Sequence, residues 1–193
     1  MQTERKRLHG SLSADALQNG DFYLPENRYA DTVYHIECRS ETRFDWDIIG
    51  YTVGRMLPSA GVPVLTGDFH RPTLTMLKQC FTAMATTSAC ELCHIVGVTP
   101  EARSLEDARG NKPLRGEFTI TQKDYDESCR QICSAGEGKI NFVLLGCPHY
   151  SLEDIQQVAN YIHGKKWRKV WNSMSGQICP PSQWQRPAVL LKP

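Results

Sequence analysis

The chain has 193 residues and nearly balanced charge, with 22 Lys and Arg against 21 Asp and Glu. Proteins that bind phosphate backbones usually carry a larger positive excess, so nucleic acid and anionic membrane surfaces are not expected partners. No apolar run approaches the length of about 18 residues that a transmembrane helix needs, and no apolar segment typical of a secretory signal follows the charged N-terminus. These features predict a cytoplasmic globular protein.

Short apolar runs alternate with amphipathic stretches along most of the chain. This pattern predicts strands at 32–37, 62–65, 91–98 and 140–145, with a further candidate at 167–171, and helices at 45–57, 72–88, 121–135 and 151–163, with a short acidic helix and turn at 100–110. Strands that alternate with helices indicate βαβ units. The predicted fold class is therefore α/β with a mostly parallel sheet.

The composition changes at both ends of the chain. We expect residues 1–23 to form a loose polar leader, 24–171 to form the folded domain, and 172–193 to form an irregular proline-rich tail. A chain of this size without an export signal should keep its cysteines reduced, and most of them should be buried as small apolar residues. The eight cysteines are Cys38, Cys80, Cys90, Cys93, Cys129, Cys133, Cys147 and Cys179.

The sequence Gly146-Cys147-Pro148-His149 directly follows the predicted strand at 140–145. Ligands in open α/β sheets bind at the carboxyl ends of the strands, and the dipole of the following helix, capped by Ser151, favours a thiolate at Cys147. A thiolate suits iron, zinc or an electrophile. The alternative is a buried cysteine before a turn set by Pro148, and position alone does not decide between the two.

A second motif, residues 94–102, runs from a strand into a turn that carries Thr99 and Glu101. One interpretation is an active-site loop in which His94 and Thr99 converge with Cys147 on one edge of the sheet. The other is structural: Thr99 caps the following helix and Glu101 lies in its favourable first turn. The residues alone favour the structural interpretation.

The pattern Cys90-Glu91-Leu92-Cys93-His94 is typical of c-type haem attachment, zinc binding or a redox pair. Haem attachment needs an export signal, which the sequence does not show. Zinc would need a second pair, and the spacing of Cys129 and Cys133 places both on one helical face, as in core packing. On a strand, His94 and Cys93 would point to opposite faces.

Four blocks of this sequence resemble the catalytic domain of the aconitase X family. Residues 94–102 (HIVGVTPEA) and 146–159 (GCPHYSLEDIQQVA) resemble its two hallmark motifs, while 24–28 (LPENR) and Gly50-Tyr51…Gly54 resemble two weaker blocks in the same order. The resemblance extends over roughly residues 24–165. Residues 24–171 would then be part of an aconitase-like catalytic domain.

The resemblance implies a hydro-lyase, or dehydratase, acting on a small hydroxy acid such as cis-3-hydroxy-L-proline or mevalonate 5-phosphate. It also implies an iron–sulfur cluster (4Fe-4S or 2Fe-2S) held by three cysteines, with iron as Lewis acid beside a base. Cys147 resembles one cluster cysteine. The residues that match the motifs around the site are His94, Thr99, Glu101 and His149.

The sequence departs from the family pattern in its cysteines. The region expected to hold a second cluster cysteine contains none, and Cys179 alone remains for the third. We therefore expect the chain to be inactive alone, with a small swivelling domain or subunit and the missing ligands supplied by another chain. The alternatives are a non-catalytic fragment or pseudoenzyme, and a zinc or thiol protein that uses Cys90, Cys93 and His94.

Overall fold

The computed structural model describes residues 24–58, 61–133, 142–146, 148–165 and 172–175, without the side chains of Phe142 and of 172–175. The chain divides into two compact units, Met1–Ser134 and Ala135–Pro193, which are described separately. Within the described ranges no helix has the length and apolar character needed to cross a membrane.

The first unit contains a four-stranded sheet in which every pairing is parallel. Its strands are β1 (Thr32–Ile36), β2 (Pro63–Gly67), β3 (His94–Ile95) and β4 (Gly116–Ile120). Its helices are α1 (Pro25–Arg28), α2 (Arg43–Met56), α3 (Leu74–Ser88), α4 (Leu105–Arg109) and α5 (Gln122–Ile132). The predicted α/β class with a mostly parallel sheet is confirmed.

In the strand order β3-β2-β1-β4, the first strand of the chain, β1, lies in the interior of the sheet. On one face, Tyr34, Leu65 and Ile95 pack in one core cluster with side chains of α2 and α3. On the other face, Val33 and Val64 pack with α4 and the loop that precedes it. The chain thus moves outward from β1 to β3 on one face and returns to β4 across the other, so the order reverses between β1 and β4.

Two glycines allow α2 and α3 to pack backbone against backbone. A Cβ atom on Gly50 would overlap the Cys80 carbonyl oxygen, and one on Gly54 would lie 2.9 Å from the Met84 carbonyl oxygen. These are the glycines of the Gly50-Tyr51…Gly54 block. Its spacing is explained by the close approach of the two helices, with Trp46 and Val53 of α2 fully buried on the same face.

The second unit pairs β5 (Phe142–Leu145) with β6 (Asn172–Ser175) in parallel, and α6 (Leu152–Ile162) lies between them in the chain. Ser151 caps α6 as predicted: its Oγ accepts from the Asp154 backbone N–H at 3.2 Å. The continuous apolar sequence at 140–145 predicts a strand buried on both faces. This prediction is wrong, because Leu144 of β5 is 62% exposed.

Several element boundaries differ from the sequence predictions. The strand predicted at 91–98 is reduced to His94–Ile95, because the chain turns at Gly97, whose φ of +72° leaves extended geometry. Of the helix and turn predicted at 100–110, the structure has a helix only over α4. Strand β4 was not predicted, although Glu117 and Thr119 alternate with apolar residues there, and β6 lies in the stretch expected to be irregular. Residues 167–171 lie outside the described residues.

We expect Gly50→Ala to lower the free energy of unfolding by about 3 kcal/mol or more, because the new methyl group would overlap the Cys80 carbonyl and force α2 and α3 apart. Urea unfolding checks this. Thr86→Ala, on the exposed side of α3, is the matched control and should change stability by about 0.5 kcal/mol or less. Equal stability of the two variants would contradict the close packing.

Candidate functional site

A buried hydrogen bond joins the LPENR segment to the HIVGVTPEA segment. The His94 Nε2 lies 2.7 Å from the backbone oxygen of Arg28, and His94 is only 2% exposed. A carbonyl oxygen only accepts, so Nε2 must carry a proton in this hydrogen bond. Two blocks that are far apart in the sequence therefore meet at one histidine.

An ion pair joins the same two segments a second time. The Arg28 guanidinium lies 2.6 Å from the Glu101 carboxylate, and both side chains are partly exposed, at 36% and 44%. A pair this exposed contributes little to stability. The pair does link the Glu101 carboxylate to the residue whose backbone oxygen is bonded to His94.

Thr99 shapes the loop between β3 and α4. Its Oγ1 accepts from the Ile95 backbone N–H at 3.0 Å and lies 3.2 Å from the Ile95 oxygen, to which it donates. The prediction that Thr99 caps the next helix is wrong, since α4 starts later and its cap is Ser104, which accepts from Asp107 at 3.1 Å. Thr99 instead closes the turn that carries Glu101.

A cleft of about 390 Å³ lies between these segments. Polar lining comes from His94, from the Arg28–Glu101 pair, and from a second pair in which the Arg103 Nε lies 2.9 Å from the Asp107 carboxylate. Tyr29, Pro25, Pro100 and Ala108 complete the walls. The cleft therefore presents both charge signs and one histidine to a small polar ligand.

The structure places His94 in the amino half of the sheet. It is the first residue of β3 and pairs with Val64, the second residue of β2. The carboxyl edge, where the sequence analysis places a shared site, therefore does not include His94. Cys147 lies outside the described residues, and His149 is exposed in the second unit, so their convergence with Thr99 stays a prediction.

The Cys90, Cys93 and His94 zinc alternative gains no support from the geometry. Cys90 and Cys93 pack against the core on the α2–α3 face, opposite to His94, as the strand alternation predicts. Burial raises the pKa of both thiols, that of Cys93 well above its ordinary value. In the part of the chain that the structure describes, no group of three or more His, Cys, Asp or Glu side chains could hold a metal ion.

A charged network that the sequence analysis missed lies at the carboxyl end of β1. The Arg39 Nε lies 3.1 Å from the Asp45 carboxylate, and its Nη2 donates to the Tyr125 hydroxyl at 2.9 Å. The Tyr125 hydroxyl donates in turn to Asp45 at 2.7 Å. The capping sequence Thr42–Asp45 could have predicted the start of α2. The contact of Asp45 with Tyr125 could not be predicted, because the two residues are 80 positions apart in the sequence.

The pKa of the Asp45 carboxyl reflects two opposing causes. Burial acts to raise the pKa, while hydrogen bonds from Tyr125 and Thr42 and the nearby Arg39 charge lower it, and the net shift is downward. In contrast, burial raises the pKa of Asp47 on the same helix. The folded state therefore favours the ionised form of Asp45 and the protonated form of Asp47.

The fold and these contacts define the class: a doubly wound α/β unit with a polar cleft between α1, β3 and α4. The family model described as the aconitase X second domain matches residues 30–130, more than half of the chain. The chain belongs to the aconitase X family.

Named relatives and one solved structure agree with this assignment. The chain is 32% identical to a cis-3-hydroxy-L-proline dehydratase of Pseudomonas aeruginosa over 75% of this chain and 25% of that protein. It is 31% identical to a phosphomevalonate dehydratase large subunit of Thermococcus kodakarensis, over 83% of this chain and 40% of that protein. A crystal structure of Thermococcus kodakaraensis aconitase X (holo form) aligns with a TM-score of 0.60 and 28% identity, over 72% of this chain and 34% of that one.

These shares show how much of its relatives the chain represents. It spans 25% of the Pseudomonas aeruginosa protein and 40% of the Thermococcus kodakarensis subunit. The described cleft therefore corresponds to one part of a longer protein in each case.

We expect His94→Ala to lower the free energy of unfolding by about 2–4 kcal/mol, since it leaves a cavity and removes the donor to the Arg28 oxygen. Glu101→Gln should cost less than about 1 kcal/mol, because the pair with Arg28 is half exposed. Urea unfolding measures both values. Amide exchange at Ala30 should also quicken in His94→Ala alone, and equal exchange in the two variants would contradict the anchoring role.

The opposite shifts of Asp45 and Asp47 predict opposite effects on acid stability. A lowered pKa gives stability that is present above the unfolded value, near 3.8, and lost as pH falls through the folded value. Asp45→Asn should therefore shrink the stability difference between about pH 7 and about pH 3, while Asp47→Asn should enlarge it. Urea midpoints at the two pH values test this, and shifts of the same sign would refute it.

Proposed function

We propose that this chain supplies one part of an iron–sulfur-dependent hydro-lyase that dehydrates a small hydroxy acid, such as cis-3-hydroxy-L-proline or mevalonate 5-phosphate. The observation that carries the proposal is the meeting of two family-like segments at one cleft, through His94 and the Arg28–Glu101 pair. Relatives named as dehydratases of these two substrates support it.

Dehydration removes a hydroxyl group from one carbon and a proton from its neighbour, so the enzyme needs a group that accepts the proton. His94 is one candidate for this role, because it lines the cleft and its Nε2 is bonded to the Arg28 oxygen, which leaves Nδ1 as the ring nitrogen for a ligand. Glu101 is the second candidate, with its carboxylate positioned by Arg28. Thr99 fixes the loop that presents Glu101.

The cluster in this proposal follows from the family resemblance of Cys147. The residues that the structure describes do not fit an iron–sulfur centre, since none of their His, Cys, Asp and Glu groups could hold a metal. Cys147, the proposed cluster ligand by resemblance, lies outside the described residues, as does Cys179. In the proposal Cys147 supplies one ligand of the set, and the described residues supply none of the others.

The proposal includes a partner subunit and a cytoplasmic location. Some relatives carry the name large subunit, which implies a second subunit in those proteins. His149 would join the site only if the second unit brings it to the cleft. A small swivelling domain or subunit supplied by another chain would then close over the substrate.

Substrate binding by the whole chain tests the proposed site without requiring turnover. After anaerobic treatment with iron and sulfide, NMR titration with cis-3-hydroxy-L-proline and with mevalonate 5-phosphate should shift the resonances of His94 and its neighbours. We expect Glu101→Gln to weaken the binding by about tenfold, the usual loss for a hydrogen bond to a charged group. The chain alone should neither retain a stoichiometric cluster nor turn over either substrate.

Glu117→Gln is the matched control, because Glu117 pairs with His35 at the same 2.6 Å on a different part of the sheet. It should leave both the binding and the fold unchanged. If neither compound shifts the cleft residues, the proposed function is wrong and the non-catalytic alternative is favoured. Turnover by the isolated chain that Cys147→Ala abolishes would refute the need for another chain, and turnover that survives Cys147→Ala would refute the ligand role.

A further inference from the structure

Arg39 lies where an open parallel sheet offers a binding position. It follows the carboxyl end of β1, which pairs with β2 on one side and β4 on the other. The strand order reverses between β1 and β4, and ligands of open α/β sheets bind outside the carboxyl ends of the strands at such a reversal. The Arg39 backbone N–H donates to the Gln122 side chain at 3.1 Å, so Arg39 bridges the two loops that flank this point.

The guanidinium of Arg39 is held rigidly from one side. It lies over the Tyr125 ring at 4.6 Å from the centroid, in addition to its contacts with the Asp45 carboxylate and the Tyr125 hydroxyl. Asp45 is itself buried and anchored by the backbone N–H and hydroxyl of Thr42 at 2.8 and 2.7 Å. The rotamer entropy of the arginine is therefore largely lost before any ligand arrives.

The opposite edge of the same guanidinium is open. The Arg39 side chain is 52% exposed, and its Nε and one N–H of Nη2 have partners in Asp45 and Tyr125. The second N–H of Nη2 and the two of Nη1 form the outer edge of the guanidinium. Among the residues that the structure describes, no hydrogen-bond acceptor is recorded for Nη1. The planar fork of arginine matches the two oxygens of a carboxylate or phosphate, which lysine does not reproduce.

We propose that Arg39 is the anion-binding residue of a site at the β1–β4 reversal, where it takes the carboxylate or phosphate group of a small molecule. Asp45 and Tyr125 are positioning residues, which fix the guanidinium and leave its outer edge to the ligand. The site lies apart from the His94 cleft in the contacts that define it, and it does not rest on the hydro-lyase proposal.

NMR of the Arg39 side-chain Nε–H in the whole chain, titrated with inorganic phosphate and separately with glycolate at fixed ionic strength, tests the site. We expect saturable binding of at least one probe, and the stronger probe identifies the group that the site takes. Arg39→Gln, followed through the Gln122 backbone amide, should weaken that binding about tenfold or more. Arg39→Lys keeps the charge but loses the fork, and it should also weaken binding.

Arg55→Gln is the matched control, because Arg55 is exposed and stacks over Tyr51 at 5.6 Å in the last turn of α2. It should leave the binding unchanged. Equal losses in Arg39→Gln and Arg55→Gln would mean that only general charge attracts the anion, and this would overturn the proposal. If neither probe shows saturable binding, the site is overturned. If Arg39→Lys binds as tightly as the unchanged chain, the bidentate geometry is overturned.

Discussion

The parallel pairing of β1 with both β2 and β4 is the constraint on which the first unit depends. Parallel neighbours need crossover connections, and these bring α2 and α3 onto the same face. The two helices fit there only because Gly50 and Gly54 let their backbones approach closely. The return to β4 must then cross the opposite face, and this path carries α4 and the loop with Glu101 to the segment that precedes β1.

This topology separates the chemistry of the unit into two places. The return path gathers His94, Arg28 and Glu101 in the amino half of the sheet, where two segments close over a polar cleft. The crossovers leave Arg39 at the carboxyl end, tied to the starts of α2 and α5 by Asp45 and Gln122. The two places differ in which charges meet the solvent: both partners of the Arg28–Glu101 pair are partly exposed, whereas Asp45 is buried and only Arg39 of the other pair is half exposed.

The sequence was sufficient to predict the elements that periodicity and capping specify. The α/β class, the helices from Arg43 and Leu74, and the Ser151 cap follow from local patterns. The position of His94 could not be predicted, because β3 is shortened by a turn at Gly97 and a side-chain bond from Thr99. The Arg28–Glu101 and Asp45–Tyr125 contacts could not be predicted either. They join segments that are distant in the sequence, and they depend on the path of the chain from β3 back to β4.

The HIVGVTPEA segment shows why resemblance and chemistry must be separated by experiment. His94 anchors α1, Thr99 closes the turn, and Gly97 adopts a left-handed φ, so each of these residues has a role in the fold. Glu101 differs from them, since its half-exposed pair with Arg28 contributes little to the fold. Because Glu101→Gln is expected to change the stability little, a loss of ligand binding in that variant would report on the proposed site and not on the fold.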